Sequence, residues 1–272
     1  MSILDEILAN KKQEVEKKRQ LYPVKLLEQS IYFDSPCVSL KKYILRPDKV
    51  GIIAEIKRRS PSEKSLNPYI KVDEVANGYM YAGASAVSIL TDEKYFGGKN
   101  EDLQKVRQMI YGPVLRKDFI IDEYQIIEAR SIGADAILLI ASALYPEEIR
   151  KLSAFAHSLG LEVLLEVHDA IELDRSINDH VDLVGVNNRN LKEQTISLDT
   201  SLELLDKIPA GFARISESGI HTPENAFMLR KAGFDGFLIG THFMKTPNPS
   251  KTCVRFIQQF RKLLEAEKQT AG

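Results

Sequence analysis

The chain has 272 residues, enough for one large α/β barrel or two modest domains. Hydrophobic residues make up 44% and charged residues 28%, a balance that excludes a disordered, collagen-like or disulfide-stapled scaffold. With 37 basic against 38 acidic side chains, a formal charge of -1 and no long basic stripe, the chain has little electrostatic means of gripping nucleic acid.

In chain order, the N-terminal segment places Ile3, Leu4, Ile7 and Leu8 at helical spacing and then runs into alternating charge. It lacks the uninterrupted apolar core of a signal peptide. The longest strongly apolar stretch, Ala136 to Leu144, is far shorter than the ~20 residues that span a bilayer, so no membrane partner is expected. Cys37 and Cys253 form no CxxC pair and read as two reduced thiols. A cytoplasmic protein is expected.

From residue 51 onward a leading glycine stands before one apolar run after another: Gly51, Gly83, Gly112, Gly133, Gly160, Gly211 and Gly233. The gap from Gly160 to Gly211 is about double the others and contains a further run, Asp182 to Asn187, which brings the count to eight strands. Helical spacing fills the intervals, as in Val72, Val75, Ala76 and Tyr79, in Ile126, Ile127 and Arg130 after Asp122, and in Ile149, Leu152, Phe155 and Ala156 after Pro146. Thr222-Pro223-Glu224 signals a helix start, and the glycine after each helix is expected to end it in the left-handed conformation. Runs apolar on both faces suit a parallel sheet covered by helices. Eight strand–helix units of ~25 residues predict a (β/α)8 barrel over residues 46–272. No GxGxxG follows the first strand, which argues against an open doubly wound sheet. Residues 1–45 are expected to form an N-terminal helical extension lying over one end of the barrel.

In such a barrel the chemistry sits where strands end. Those ends carry Glu55 and Lys57, Lys117 within Arg116-Lys117-Asp118-Phe119, Glu166, Asn187 and Arg189, Glu217-Ser218-Gly219, and Gly240-Thr241. One charged residue at a strand end is ordinary. Two lysines and two glutamates (Glu55, Lys57, Lys117, Glu166) converging from three strands make an acid–base site. Gly219 and Gly240-Thr241 stand where barrels bind phosphate through backbone N–H groups, with Lys57 and Arg189 adding charge, so the expected ligand is a phosphorylated small molecule. The five histidines show no metal-ligand spacing, His168 reads as a strand-end or capping residue, and no P-loop or GxSxG elbow occurs. Neither metal nor cofactor is expected. The lysines leave two mechanisms open, acid catalysis and a Schiff base.

Seven segments together resemble the indole-3-glycerol phosphate synthase family: IIAEIKRRSPS (52–62), SILTDEKYFGG (88–98), PVLRKDFIID (113–122), LLEVH (164–168), GVNNRNL (185–191), SESGI (216–220) and FLIGTHFM (237–244). They are colinear and cover essentially the whole barrel.

The resemblance implies a lyase of tryptophan biosynthesis that closes the indole ring of 1-(2-carboxyphenylamino)-1-deoxyribulose 5-phosphate with loss of carbon dioxide and water, without a cofactor. It implies that Lys117 is the general acid toward the substrate carbonyl oxygen, that Lys57 contacts the substrate carboxylate, and that Glu55 and Glu166 transfer protons during dehydration. Asn187 and Ser218 would orient the reacting centre. Ser60, Arg189, Gly219 and Gly240 match positions around phosphate and carboxylate, Glu217 and Thr241 are expected among the substrate-binding residues, and Phe96, Phe119 and Leu191 resemble the apolar walls for the anthranilate ring. The resemblance also allows weak association with other tryptophan-pathway enzymes; a covalently fused second barrel is not expected. Two departures stand out: Glu63-Lys64-Ser65 where the family commonly has lysine and glycine, and Thr241 where serine is frequent. The rival readings are another sugar-phosphate barrel enzyme, such as a Schiff-base lysine aldolase, and a non-catalytic phosphate-binding barrel.

Overall fold

Three helices precede the first strand: α1 (Ile3–Leu21), α2 (Val24–Leu27) and α3 (Leu40–Ile44). The computed structural model describes residues 2–61, 63–190 and 195–270. Eight strands follow, β1 (Ile52–Ile56), β2 (Ala86–Leu90), β3 (Val114–Lys117), β4 (Ala136–Ile140), β5 (Glu162–Val167), β6 (Leu183–Asn187), β7 (Ala213–Glu217) and β8 (Gly236–Ile239). Each pairs in parallel with the next, and β8 closes the barrel on β1 through the register Ile53↔Leu238. Between and after them lie α4 (Val72–Ala82), α5 (Glu93–Phe96), α6 (Asn100–Met109), α7 (Glu123–Ser131), α8 (Pro146–Ser158), α9 (Ala170–Ser176), α10 (Asp199–Leu205), α11 (Pro223–Ala232), α12 (Thr241–Met244) and α13 (Pro249–Thr270). This is the (β/α)8 barrel expected from the apolar runs, with the run that has no leading glycine as β6.

Side chains alternate along each strand and divide the apolar residues into two compartments. Ile53, Leu115, Leu138, Leu164, Ile215 and Leu238 fill the barrel interior, while Ile52, Ala54, Val87, Leu139 and Leu165 face outward against the helices. Each such buried Leu or Ile contributes about 1.5–3 kcal/mol. The expected helix starts hold: Asp122 accepts from Tyr124 N–H, and Thr222 with Asn225 forms a reciprocal cap ahead of Pro223. The left-handed glycine ends α4 at Gly83 (φ 99°), but Gly112 is not left-handed and α6 stops before it, at Met109. Gly112 instead lies against Met80: a Cβ there would lie 2.3 Å from Met80 Cε, so the methionine end would have to shift.

The N-terminal segment touches both ends of the barrel rather than one. Leu40 and Ile44 of α3 plug the base, where Ile53, Ala86, Ala136, Leu183 and Ala213 would otherwise face water. Ser39 and the Lys41 N–H anchor α3 on Glu162 at the start of β5. The α1 helix crosses the opposite mouth, where Ile3, Leu4 and Ile7 enter the wall of the main cavity. Among the described residues no helix is long and apolar enough to cross a membrane.

Candidate active site

The period-two alternation that fills the interior also builds the site. Going up each strand by two residues passes from Ile53 to Glu55 to Lys57, Leu115 to Lys117, Leu164 to Glu166, Gly185 to Asn187, Ile215 to Glu217, and Leu238 to Gly240. A layer of aliphatic side chains is thus capped by a layer of charge at the C-terminal ends of the strands.

Lys117 stands at the middle of that layer. Its Nζ donates to Glu166 Oε2 at 2.8 Å and to Glu217 Oε2 at 2.9 Å. Burial disfavours the ammonium, but Glu166, Glu217 and Glu55 outweigh it and hold Lys117 protonated, above the ordinary lysine range. Burial also works against the Glu166 carboxylate; Lys117, His168 and the Asn187 amide prevail and lower it to about 2. Asn187 Nδ2 donates to Glu166 Oε1 at 3.0 Å. Glu217 goes the other way: burial, reinforced by the Glu166 charge, overcomes Lys117 and pushes it up to about 7. One ammonium therefore serves two carboxyls of opposite character, the arrangement in which acid and base roles separate.

Lys57 forms a second pair, donating to Glu55 Oε1 at 2.7 Å. Gly240 makes room for it: a Cβ there would lie 2.4 Å from Glu55 Oε1. Ser218 is the one non-glycine residue among those described with positive φ, 67°, a strain of order 1–3 kcal/mol. Buried Asn188 holds it, bonding the Ser218 carbonyl and the Ser216 hydroxyl through Nδ2, both at 3.0 Å, while its Oδ1 accepts from Ser201.

The apolar wall is formed by Phe96 and Phe119, with ring centroids 5.9 Å apart, and by Ile3, Leu4 and Ile7 of α1. Both phenylalanines are placed by one buried lysine. Lys11 of α1, 1% exposed, reaches Asp92 and Asp118, each at 2.9 Å. Asp92 caps α5, which ends in Phe96, and Asp118 accepts from the Phe119 N–H and adjoins Lys117. Burial opposes the Asp118 carboxylate, yet Lys11 and Arg116 hold it well below the usual carboxylate range.

At the other side of the mouth, Gly219 (φ 76°) follows β7 and Gly240 is the N-cap of the short α12 that Thr241 opens. Glu63, in the departing segment after β1, pairs with Lys245 just beyond α12 at 2.5 Å, joining the two loops across the rim. A cavity of about 350 Å³ collects these groups, a size suited to a small phosphorylated ligand. It is lined by Glu55, Lys57, Ser60, Phe96, Lys117, Phe119, Glu166, Asn187, Arg189, Glu217, Ser218, Gly219, Gly240 and Thr241. Every site residue expected from the sequence is therefore here except Leu191, which lies outside the described residues, as does Ser62. His168 sits at the strand end as expected, its N–H donating to Glu172. Among the described residues no group of three or more His, Cys, Asp or Glu could hold a metal ion.

The family model described as indole-3-glycerol phosphate synthase matches residues 4–256. The chain belongs to the indole-3-glycerol phosphate synthase family. It is 47% identical over 256 residues to the indole-3-glycerol phosphate synthase of Bacteroides thetaiotaomicron, covering 94% of this chain and 98% of that one. It is 41% identical to the one of Dechloromonas aromatica, covering 93% and 98%. A tryptophan synthase α subunit structure from Legionella pneumophila matches with TM-score 0.59 at 16% identity, over 79% of this chain and 93% of that one, a likeness of fold alone.

Lys11 and Asn188 also hold the site together, and neither carries a strong signal in the sequence. Lys11 is one charge among many in KKQEVEKK, but it is four residues from Ile7 and four from Val15, on the buried stripe of α1. Asn188 stood beside Asn187 without a role, since strand alternation turns it away from the cavity.

Proposed function

We propose that this chain catalyses the closure of the indole ring of 1-(2-carboxyphenylamino)-1-deoxyribulose 5-phosphate, releasing one carbon dioxide and one water per turnover. The observation that carries the reading is Lys117, protonated and fixed between Glu166 and Glu217 at the bottom of a cavity with an aromatic wall.

The anthranilate ring packs against Phe96 and Phe119, and the phosphate lies toward Gly219, Gly240 and Thr241, with Arg189 and Lys57 offsetting its charge. Lys57 contacts the substrate carboxylate. As the ring carbon bearing that carboxylate attacks the sugar carbonyl carbon, Lys117 gives its proton to the carbonyl oxygen, which becomes a hydroxyl. Loss of carbon dioxide returns the electron pair to the ring. Glu166 and Glu55 handle the protons of the last stage, in which the hydroxyl leaves as water and the neighbouring carbon loses a proton to form the indole double bond. Asn187 and Ser218 keep the carboxylate and the substrate in register. A desolvated pocket strengthens each of these charge interactions.

The aldolase reading differs in one respect, a covalent lysine. Borohydride added during turnover should trap no substrate–lysine adduct; a trapped adduct on Lys57 or Lys117 would replace the proposed mechanism. Assayed directly, purified protein given the substrate should release carbon dioxide and form the indole in equal amounts, and formation of neither would overturn the function. The reading carries with it a cytoplasmic location. It also carries weak association with other tryptophan-pathway enzymes, testable by co-sedimentation.

A further inference from the structure

His168, directly after β5, takes no part in the steps above. It is half-buried, and its surroundings fix its protonation. The backbone N–H donates to Glu172 Oε2 at 2.8 Å, and Nδ1 lies 3.1 Å from the same oxygen. A carboxylate oxygen can only accept, so Nδ1 carries a proton. In a neutral ring Nε2 would then be a bare lone pair. That atom is buried, has no hydrogen-bond partner among the described residues, and stands 3.7 Å from Glu166 Oε1. A lone pair set against a carboxylate in a desolvated site is repulsive, whereas a proton on Nε2 makes the same geometry attractive.

The charged groups facing the ring agree with that assignment. Glu172 comes from α9, Glu166 from β5 and Glu217 from β7. Lys117, from β3, holds the other oxygen of Glu166. Arg175, the cation near the end of α9, donates to the Ala141 carbonyl. Burial works against the imidazolium, and the three carboxylates outweigh it, raising His168 above the ordinary imidazole range.

We propose that His168 is a positioning residue of the reaction: oriented by Glu172, it presents a cationic N–H to Glu166 Oε1 and keeps that carboxylate ionised and in place for proton transfer. The role rests on the reading of Glu166 as a proton-transfer group. It extends the working site to Glu172, which lies outside the cavity, in a carboxylate–imidazolium–carboxylate line.

The test is the pH dependence of kcat at saturating substrate for the wild type, His168→Gln and Glu172→Gln. Removing the cation should move the acid limb of His168→Gln upward by roughly one pH unit, with KM changed less than about threefold. Glu172→Gln should move it the same way by less. An acid limb unmoved in both folded variants, or an effect on KM alone, overturns the proposal. Should either variant fail to fold, nitrogen-15 NMR of the wild-type imidazole assigned to His168 decides: that ring should stay doubly protonated above the ordinary imidazole range, and its titration at or below that range overturns the proposal. Glu166→Gln, measured alongside, separates the two readings. If it keeps full activity, the role of Glu166 falls and this one with it; if it is inactive while the limbs stay put, only the role of His168 falls.

Discussion

Gly185 of β6 leaves the space that Glu217 of β7 occupies: a Cβ on the glycine would lie 2.1 Å from Glu217 Oε1. The two strands are neighbours, and Gly185 pairs with Ile215, two residues below the glutamate. The same oxygen is buried without a hydrogen-bond partner among the described residues, so the carboxyl is positioned by shape and by Lys117 alone.

Gly185→Ala should therefore displace the Glu217 carboxyl from Lys117 while leaving the barrel closed, because the flexible end of a side chain gives way before backbone does. The expected outcome is a fall in kcat of about 10²-fold with a small change in denaturation midpoint. Steady-state kinetics and a denaturant titration on the same preparation check it. Collapse of the fold with no separable kinetic effect would contradict the packing argument.

Glu217 also leaves a signature in stability against pH. Its carboxyl is pushed up on folding to about 7, so the native state binds its proton more tightly than the unfolded chain does. Such a group contributes stability that is fully present below the ordinary carboxylate range and is lost as pH rises toward 7. Glu166, lowered to about 2, works in the opposite sense and over a different window, contributing stability that is lost only as pH falls below the ordinary range. Glu217→Gln should thus become more stable relative to wild type between pH 4.5 and pH 8, by on the order of 3 kcal/mol. Denaturant midpoints of both proteins across that range would show it, and parallel curves would refute it.

How much of this could be read from residues alone follows from the physics of the fold. Strand periodicity is local, and so Glu55, Lys117, Glu166, Asn187 and Glu217 could be placed at strand ends, facing one mouth. The pairing inside that mouth is not local. From sequence Glu217 is expected only among the binding residues, and the closed barrel is what brings it within 2.9 Å of Lys117. Lys11 is the clearer case: its spacing from Ile7 and Val15 puts it on the buried stripe of α1, but the partners that make a lysine tolerable there, Asp92 and Asp118, stand far along the chain just after β2 and β3. The same holds for α3: its docking beneath the barrel depends on Glu162, more than a hundred residues away.

Lys11→Met should be strongly destabilising. It takes the Lys11 cation from buried Asp92 and leaves Asp118 with Arg116, and breaking such an ion network costs about 3–5 kcal/mol. Because the same aspartates place Phe96 and Phe119, the surviving folded protein should show a raised KM. Thermal denaturation and substrate titration test the two halves, and a variant as stable as wild type would show that α1 is not clamped through this residue.

Glu63 and Lys245 make a milder prediction. Both are substantially exposed, 38% and 51% for the side chains, and such pairs contribute less than about 1 kcal/mol. Glu63→Ala should leave the melting temperature nearly unchanged and raise KM by about two- to fivefold at low salt, since the loop after β1 loses its tie to the rim. The KM effect should vanish at high ionic strength. A change in kcat of tenfold or more would assign Glu63 a deeper role.

The most direct measurement compares wild type and Lys117→Ala for growth of indole fluorescence from the carboxyphenylamino-deoxyribulose phosphate. The account predicts turnover in the wild type and a loss of about 10³-fold or more in the variant, at an unchanged fold by circular dichroism. No fluorescence from the wild type, or normal turnover in Lys117→Ala, would contradict it.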